Sequence, residues 1–323
     1  MLPAGSLITV FGGSGFVGRH TIRLLAQRGY RIRAAMRRPD LAGHLQPMGS
    51  PGQIMAVQAN LRDVASVQRA VVGAAGVVDL VAVLAESGRQ TFQALHVNGA
   101  RLVARAAREA GAQSLVHVSA IGANIRSASR YGQSKAQGEA GALAEFPGAT
   151  ILRPSIIFGP EDDFFNRFAG LAQSAPVMPL IAGASRFQPV YVGDVAAAIA
   201  AGLEGVAKPG SIYELGGPDI FTFRELLQKT MAYSGHRRPL IWIPAWKAKL
   251  LAALSKPLPA ALRPMTVDQV RMLASDNVVS DPANAEGRNL AGLGISQPQT
   301  VEAVVPGYLE RFNPRGQYAH YRS

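Results

Sequence analysis

Short apolar runs alternate with longer stretches of helical periodicity through the first half of the chain. The runs are LITVF at 7–11, YRIRAAM at 30–36, QIMAV at 53–57, VVDLVAVL at 77–84, SLVHVS at 114–119 and ATILR at 149–153. Their β-branched content predicts six strands. Between them, segments 16–28, 63–73, 90–110 and 131–145 have helix length. Strand and helix in strict alternation predict parallel pairing, with helices covering both faces of the sheet. The expected fold class is therefore α/β, a Rossmann-like doubly wound parallel sheet.

After Pro154 the rhythm changes. Residues 188–205 read QPVYVGDVAAAIAAGLEG, a helix rich in small residues that returns to the sheet, with Asp194 as its cap. From about 216 onward the elements are shorter and richer in proline. This places a dinucleotide-binding domain at 1–157, with 188–215 rejoining it, and a smaller, mainly helical C-terminal lobe at 158–187 and 216–323. Within that lobe Trp242, Trp246, Lys247, Lys249, Lys256 and Arg263 stand among leucines and alanines, a basic amphipathic pattern suited to a lipid headgroup surface, a partner groove or packing on its own lobe.

The first strand runs into FGGSGFVGRH, which sets Gly12, Gly15 and Gly18 three apart at a strand-to-helix turn. Gly12 permits the tight turn, Gly15 lets backbone approach a pyrophosphate, and Gly18 allows close helix-to-strand packing over a helix N-terminus that attracts anions. A site selective for NAD places Asp or Glu at the end of the second strand. Here that place holds Met36, Arg37 and Arg38, and arginine suits a 2′-phosphate, so the expected cofactor is NADPH. Asn60, Leu61 and Asp63 follow the third strand, beside the adenine.

With 33 Lys and Arg against 21 Asp and Glu the net charge is +12, which favours anionic ligands or surfaces without choosing among them. There is no cysteine, which removes disulfides, zinc–thiolate sites, iron–sulfur clusters and thiol catalysis together. The longest apolar stretch, 71–85, is broken by Asp79 and too short to span a bilayer. The six histidines, His20, His44, His96, His117, His236 and His320, show no metal-binding spacing, so no metal is expected. Asp162 and Asp163 read as capping or loop residues.

Ser119 ends the fifth strand, and Tyr131 and Lys135 follow twelve and sixteen residues later, four apart on one helix face. In the chemistry this spacing suits, the phenol exchanges a proton with a substrate oxygen, the ammonium lowers the phenol's pKa and holds a ribose, and the serine orients a carbonyl. The alternative is that Lys135 holds the ribose while no substrate reaches Tyr131.

With these residues in place the sequence resembles the extended and atypical short-chain dehydrogenase/reductase superfamily. The strings HLQPMGSPGQIMAV at 44–57, SAIGANIRSASRYGQSKAQGE at 119–139, FGPEDDFFNRFA at 158–169 and QPVYVGDVA at 188–196 resemble one branch of it, the NADPH-binding accessory subunits of respiratory complex I, subunit 9 of the alpha subcomplex. That resemblance implies a tightly held NADPH, no substrate turnover, and a place among other complex I subunits where peripheral and membrane arms meet near the quinone site. Carried over by position, Gly12, Gly15, Phe16 and Val17 cradle pyrophosphate and Arg37 holds the 2′-phosphate. Leu80, Val81 and Ala82 border the ribose, Lys135 holds the nicotinamide ribose, and Pro154, Ser155 and Ile156 lie beside the nicotinamide. The mitochondrial members carry a presequence that this chain lacks, which implies a bacterial counterpart, peripheral on the cytoplasmic face of the inner membrane. Because Ser119, Tyr131 and Lys135 are all retained, a free NADPH-dependent reductase or sugar-nucleotide epimerase stays open, as does a redox-sensing dinucleotide module. Nucleic acid is the least expected partner, since no recognition helix or aromatic RNA-binding strand pair is present.

Overall fold

The computed structural model describes residues 2–254, 265–314 and 316. They divide into two units, the first comprising Met1–Pro154, Val192–Leu215 and Val279–Gln297, the second Ser155–Tyr191, Gly216–Val278 and Pro298–Ser323.

In the first unit the predicted alternation is realised. β1 (Leu7–Phe11), α1 (Phe16–Gln27), β2 (Arg31–Met36), β3 (Ile54–Gln58), α2 (Val64–Val71), β4 (Gly76–Asp79), α3 (Ala100–Glu109), β5 (Ser114–Val118), α4 (Arg130–Glu145) and β6 (Thr150–Pro154) follow in order. They are completed by α5 (Val192–Leu203) and β7 (Ile212–Leu215). The strands form one seven-stranded sheet in the order β7-β6-β5-β4-β1-β2-β3, every neighbouring pair parallel. The α/β, doubly wound expectation therefore holds, with the order reversing between β1 and β4, where open sheets of this type leave a ligand crevice.

Burial explains the strand pattern. Helices cover both faces, so central strands are apolar on both sides, and all four residues of β4 are buried. α1 turns Gly18, Thr21, Ile22, Leu25 and Ala26 inward, the stripe of a helix lying on a sheet. One buried ion pair fastens α4 to β6: the Arg153 guanidinium donates to both carboxylate oxygens of Glu139 at 2.8 and 2.6 Å, with Glu214 at 3.6 Å on its other side.

Four details depart from the sequence pattern. The fourth strand stops at Asp79 rather than 84, because the Asp79 carboxylate accepts the Val81 N–H at 3.1 Å and turns the chain. The helix expected over 90–110 is a π-helix over Gln93–Gly99 before it becomes α3. The helix expected to be capped by Asp194 begins at Val192, so Asp194 lies inside its first turn rather than ahead of it, where the helix dipole favours its charge. The seventh strand, β7, has a partner beyond the sheet that no local pattern announces. The Glu214 N–H donates to the Arg288 carbonyl at 2.9 Å, the Arg288 guanidinium donates to the Ile212 carbonyl at 2.8 Å, and the Ser280 N–H donates to the Glu214 carboxylate at 2.8 Å. Those bonds tie 279–297 to the first unit, whereas the sequence reading assigned it to the C-terminal lobe.

The second unit has its own core, centred on Phe158, Phe165, Phe187, Phe223, Leu226 and Leu309. Among the described residues it contains five α-helices with two-stranded pairs between them. Asp162 caps as expected: its carboxylate accepts the Phe165 N–H at 2.7 Å and the Gly159 N–H at 3.2 Å, and the Tyr308 hydroxyl donates to it. Lys256, Arg263 and His320 lie outside the described residues.

Candidate nucleotide-binding site

β1 delivers the chain into a turn that only glycine fits. Gly12 has φ of +79°, which side chains beyond glycine rarely adopt, and its N–H donates to the Ala35 carbonyl at 3.0 Å. The first turn of α1 contains no acidic residue and Gly15 offers no capping side chain, so the first N–H groups of the helix face outward without a side-chain acceptor. A Cβ on Gly18 would lie 2.4 Å from the Gly12 carbonyl oxygen, whereas one on Gly15 would meet only that oxygen, at 3.3 Å. Gly18 thus sets the packing distance, and Gly15 leaves open space above the helix end. These features fit a pyrophosphate.

Gly12, Gly15, Arg37, Asn60, Leu61, Leu80, Val81 and Ala82 all line one groove of about 260 Å³. Among the groove residues that sequence reasoning missed are the polar side chains of Ser14, Arg62 and Gln90. Arg62 was legible in principle, being a basic residue directly after Asn60 and Leu61; its backbone N–H donates to Asn60 Oδ1 at 3.1 Å, which fixes that loop. Beside the groove, Ser14, Arg37, Arg38 and Leu41 border a second recess of about 420 Å³. The two arginines differ there. Arg38 is bound to Asp40 through Nε and Nη2 at 2.9 and 2.7 Å, while Arg37 has no hydrogen bond or ion pair among the described residues. Phe16 and Val17 begin α1, half-buried, with the Phe16 ring set edgewise on His20 at 5.7 Å.

The second cluster is buried. Ser119 follows β5, and its Oγ has no hydrogen-bond partner among the described residues although the side chain is enclosed. Ser129 caps α4, whose first turn holds Tyr131 and whose second holds Lys135. The Lys135 ammonium donates to the Val118 carbonyl at 2.8 Å, next to Ser119 in the chain. The Tyr131 ring meets Phe92 and His96 edgewise at 5.9 and 5.4 Å, and burial pushes its phenol up to about 12. His96 is held from both sides. Its Nε2 accepts the Val83 N–H at 3.0 Å, so Nδ1 carries the proton and donates to Ser134 Oγ at 2.9 Å. Burial, with Lys135 nearby, lowers His96 to about 3, which keeps it neutral. Asp79 and His117 form a buried pair at 3.0 Å.

Of the three residues expected beside a nicotinamide, Pro154 ends β6 and its carbonyl accepts the Ile121 N–H at 3.0 Å. Ser155 and Ile156 open the second unit, where Ser155 Oγ lies 2.7 Å from Asn277 Oδ1 and the Ile156 carbonyl accepts the Val190 N–H at 2.9 Å.

Burial lowers the Lys135 ammonium to about 8 from 10.5, against the opposing pull of Asp79 and Glu139. The unfolded chain then binds more protons at this position than the folded one, so the cost is full below about pH 8 and fades as pH rises to 10.5. The stability of nucleotide-free protein is expected to gain on the order of 3 kcal/mol from this group across that window. Tyr131 acts oppositely: its raised phenol contributes stability that is present below pH 10 and lost toward 12. Denaturant midpoints measured between pH 8 and 10 should rise in the parent chain and stay flat in Lys135→Met; a parallel rise in both would refute the assignment.

A sheet with this strand order, and a glycine turn opening its first crossover, defines a dinucleotide-binding protein of the extended short-chain dehydrogenase/reductase type. The profile of the NAD dependent epimerase/dehydratase family matches residues 8–216. The chain belongs to that family, in the branch of the alpha subcomplex subunit 9 proteins. It is 34% identical over 292 residues, 87% of this chain and 72% of the relative, to NADH dehydrogenase (ubiquinone) 1 alpha subcomplex subunit 9, mitochondrial, of Arabidopsis thaliana. It is also 33% identical over 198 residues, 61% of each chain, to a ceramide reductase of Caulobacter vibrioides. Among solved structures, an NADPH-dependent quinone oxidoreductase of Escherichia coli complexed with NADPH superposes with a TM-score of 0.70 at 23% identity, over 92% of this chain and 98% of that one, a likeness of fold. Among the described residues no helix is long and apolar enough to cross a membrane.

Proposed function

We propose that this chain is a non-catalytic, NADPH-holding accessory subunit of respiratory complex I, seated with other complex I subunits at the junction of the peripheral and membrane arms near the quinone site. In a bacterium this is the cytoplasmic face of the inner membrane. The observation that carries the non-catalytic reading is the state of Tyr131: a buried phenol, packed against Phe92 and His96 and raised to about 12, is a poor proton carrier at neutral pH. The subunit reading is supported by the likeness to the Arabidopsis protein over most of the chain.

The chemistry a bound NADPH would offer is hydride donation, which the non-catalytic reading leaves unused. The chain's own residues do the holding. The N-terminus of α1 and Gly15 receive the pyrophosphate, Arg37 donates to the 2′-phosphate, and Asn60, Leu61 and Arg62 flank the adenine. Leu80, Val81 and Ala82 border a ribose, Lys135 donates to the nicotinamide ribose, and Pro154, Ser155 and Ile156 lie beside the nicotinamide. A second reading, an NADPH-dependent reductase acting on a ceramide-like lipid, is favoured by the enclosed Ser119 hydroxyl without a partner, which suits a substrate carbonyl, and by the Caulobacter relative.

Native-gel migration of the tagged full chain from detergent-solubilised membranes, with nucleotide extracted from the same band, tests the choice. Co-migration with NADH-oxidising activity and about one NADPH per chain is expected, as for a single Rossmann site. Tyr131→Phe is expected to leave quinone reduction by the assembled complex within about twofold of the parent. A small free species that consumes NADPH on a ceramide-like lipid, and stops doing so in Tyr131→Phe, overturns the subunit reading in favour of the reductase.

A further inference from the structure

In the second unit the helix Ala245–Leu254 is built inside out. Toward its own unit it turns alanines: Ala248 and Ala252 are buried, and Ala248 packs with Ile181 and Val270. Toward solvent it turns its large apolar residues, with Trp246 63%, Leu250 53% and Leu254 67% exposed on one stripe and Leu251 56% exposed beside them. The preceding strand Leu240–Trp242 adds Ile241 and Trp242, 48% and 66% exposed. A helix docked only on its own core shows the reverse arrangement. An exposed patch of this kind marks an interaction surface.

Charge identifies what covers it. Residues 240–254 contain Lys247 and Lys249 and no acidic residue, and the Lys247 ammonium stands 5.3 Å from the centroid of the Trp246 ring. A second copy of the chain would bring lysines onto lysines with no carboxylate in the patch to pair them. An anionic lipid surface pairs them, and it takes tryptophan at headgroup level with leucine just below. The helix is ten residues long, roughly 15 Å, about half the hydrocarbon thickness, so it can lie in the interface but not cross.

We propose that Ile241, Trp242, Trp246, Leu250, Leu251 and Leu254, flanked by Lys247 and Lys249, seat the second unit on an anionic bilayer. The inference rests on the second unit alone and holds under either reading of the nucleotide site.

The chain supplies its own probe, since Trp242 and Trp246 are its only tryptophans. Full-length protein should co-sediment with vesicles of roughly three parts phosphatidylcholine to one part phosphatidylglycerol, and much less with phosphatidylcholine alone. Tryptophan emission should shift to the blue on binding and be quenched by brominated lipid. The double substitution Leu250→Glu with Leu254→Glu falls on exposed positions, and should lower vesicle affinity roughly tenfold or more at an unchanged melting temperature. Lys247→Glu with Lys249→Glu should remove the preference for the anionic vesicles. Absence of co-sedimentation, vesicle binding without a change in tryptophan emission, or a double leucine variant that binds as well as the parent would each overturn the proposal. So would a concentration-dependent dimer that this variant abolishes while vesicles capture nothing.

Discussion

Arg37→Glu is expected to weaken NADPH binding about a hundredfold while leaving NADH binding nearly unchanged. The substitution removes charge-assisted hydrogen bonds, about 1.5 to 3 kcal/mol, and sets a carboxylate against the 2′-phosphate at a further cost of about 1 kcal/mol in a solvated site. Together these reach about 3 kcal/mol, or two decades in affinity. Arg38 is the less available of the two, because Asp40 already engages its guanidinium in a forked contact that would have to open first. Fluorescence titration of the nucleotide-free variant with each cofactor measures the ratio, and an equal loss for both would mean that Arg37 shapes the loop rather than reads the phosphate. Salt should narrow the difference, since Arg37 is exposed.

Gly18→Val should fail more completely than Gly15→Ala, in a different way. The new Cβ at 18 would sit 2.4 and 2.6 Å from two backbone carbonyl oxygens, those of Gly12 and Gly13, neither able to yield without moving the turn. α1 must then lift from β1, at a cost of about 2 to 3 kcal/mol, and the nucleotide cradle opens with it. At Gly15 the new Cβ meets a single backbone oxygen at 3.3 Å, so Gly15→Ala should melt close to the parent yet fill the space a pyrophosphate needs. Melting curves and extracted nucleotide, taken together, separate the two. If both variants lost stability equally, the division of labour between the two glycines would be wrong.

The six strands were legible because a sheet covered on both faces demands runs such as LITVF and SLVHVS, apolar on both sides. β7 was not, because Ile212–Leu215 is four residues long and alternates buried with half-buried positions; its place depends on Arg288, distant in sequence. The π-helix before α3 was equally hidden, since its periodicity over seven residues hardly differs from that of an α-helix. In the site, Gly12, Gly15 and Arg37 could be read because turn geometry and charge constrain residue type at fixed offsets. Gln90 could not, for it reaches the groove from a loop whose course follows from tertiary packing. Arg38 pairs with Asp40 whereas Arg37 has no partner among the described residues, and only coordinates separate those neighbours.

An open parallel sheet has two borders, and a bare border invites strand addition by another chain. The outward backbone groups of Ile212 and Glu214 are engaged by Arg288, so β7 presents no continuous ladder for such growth. That flank is consequently closed to edge-to-edge pairing by bonds within the first unit itself, those from β7 to 279–297.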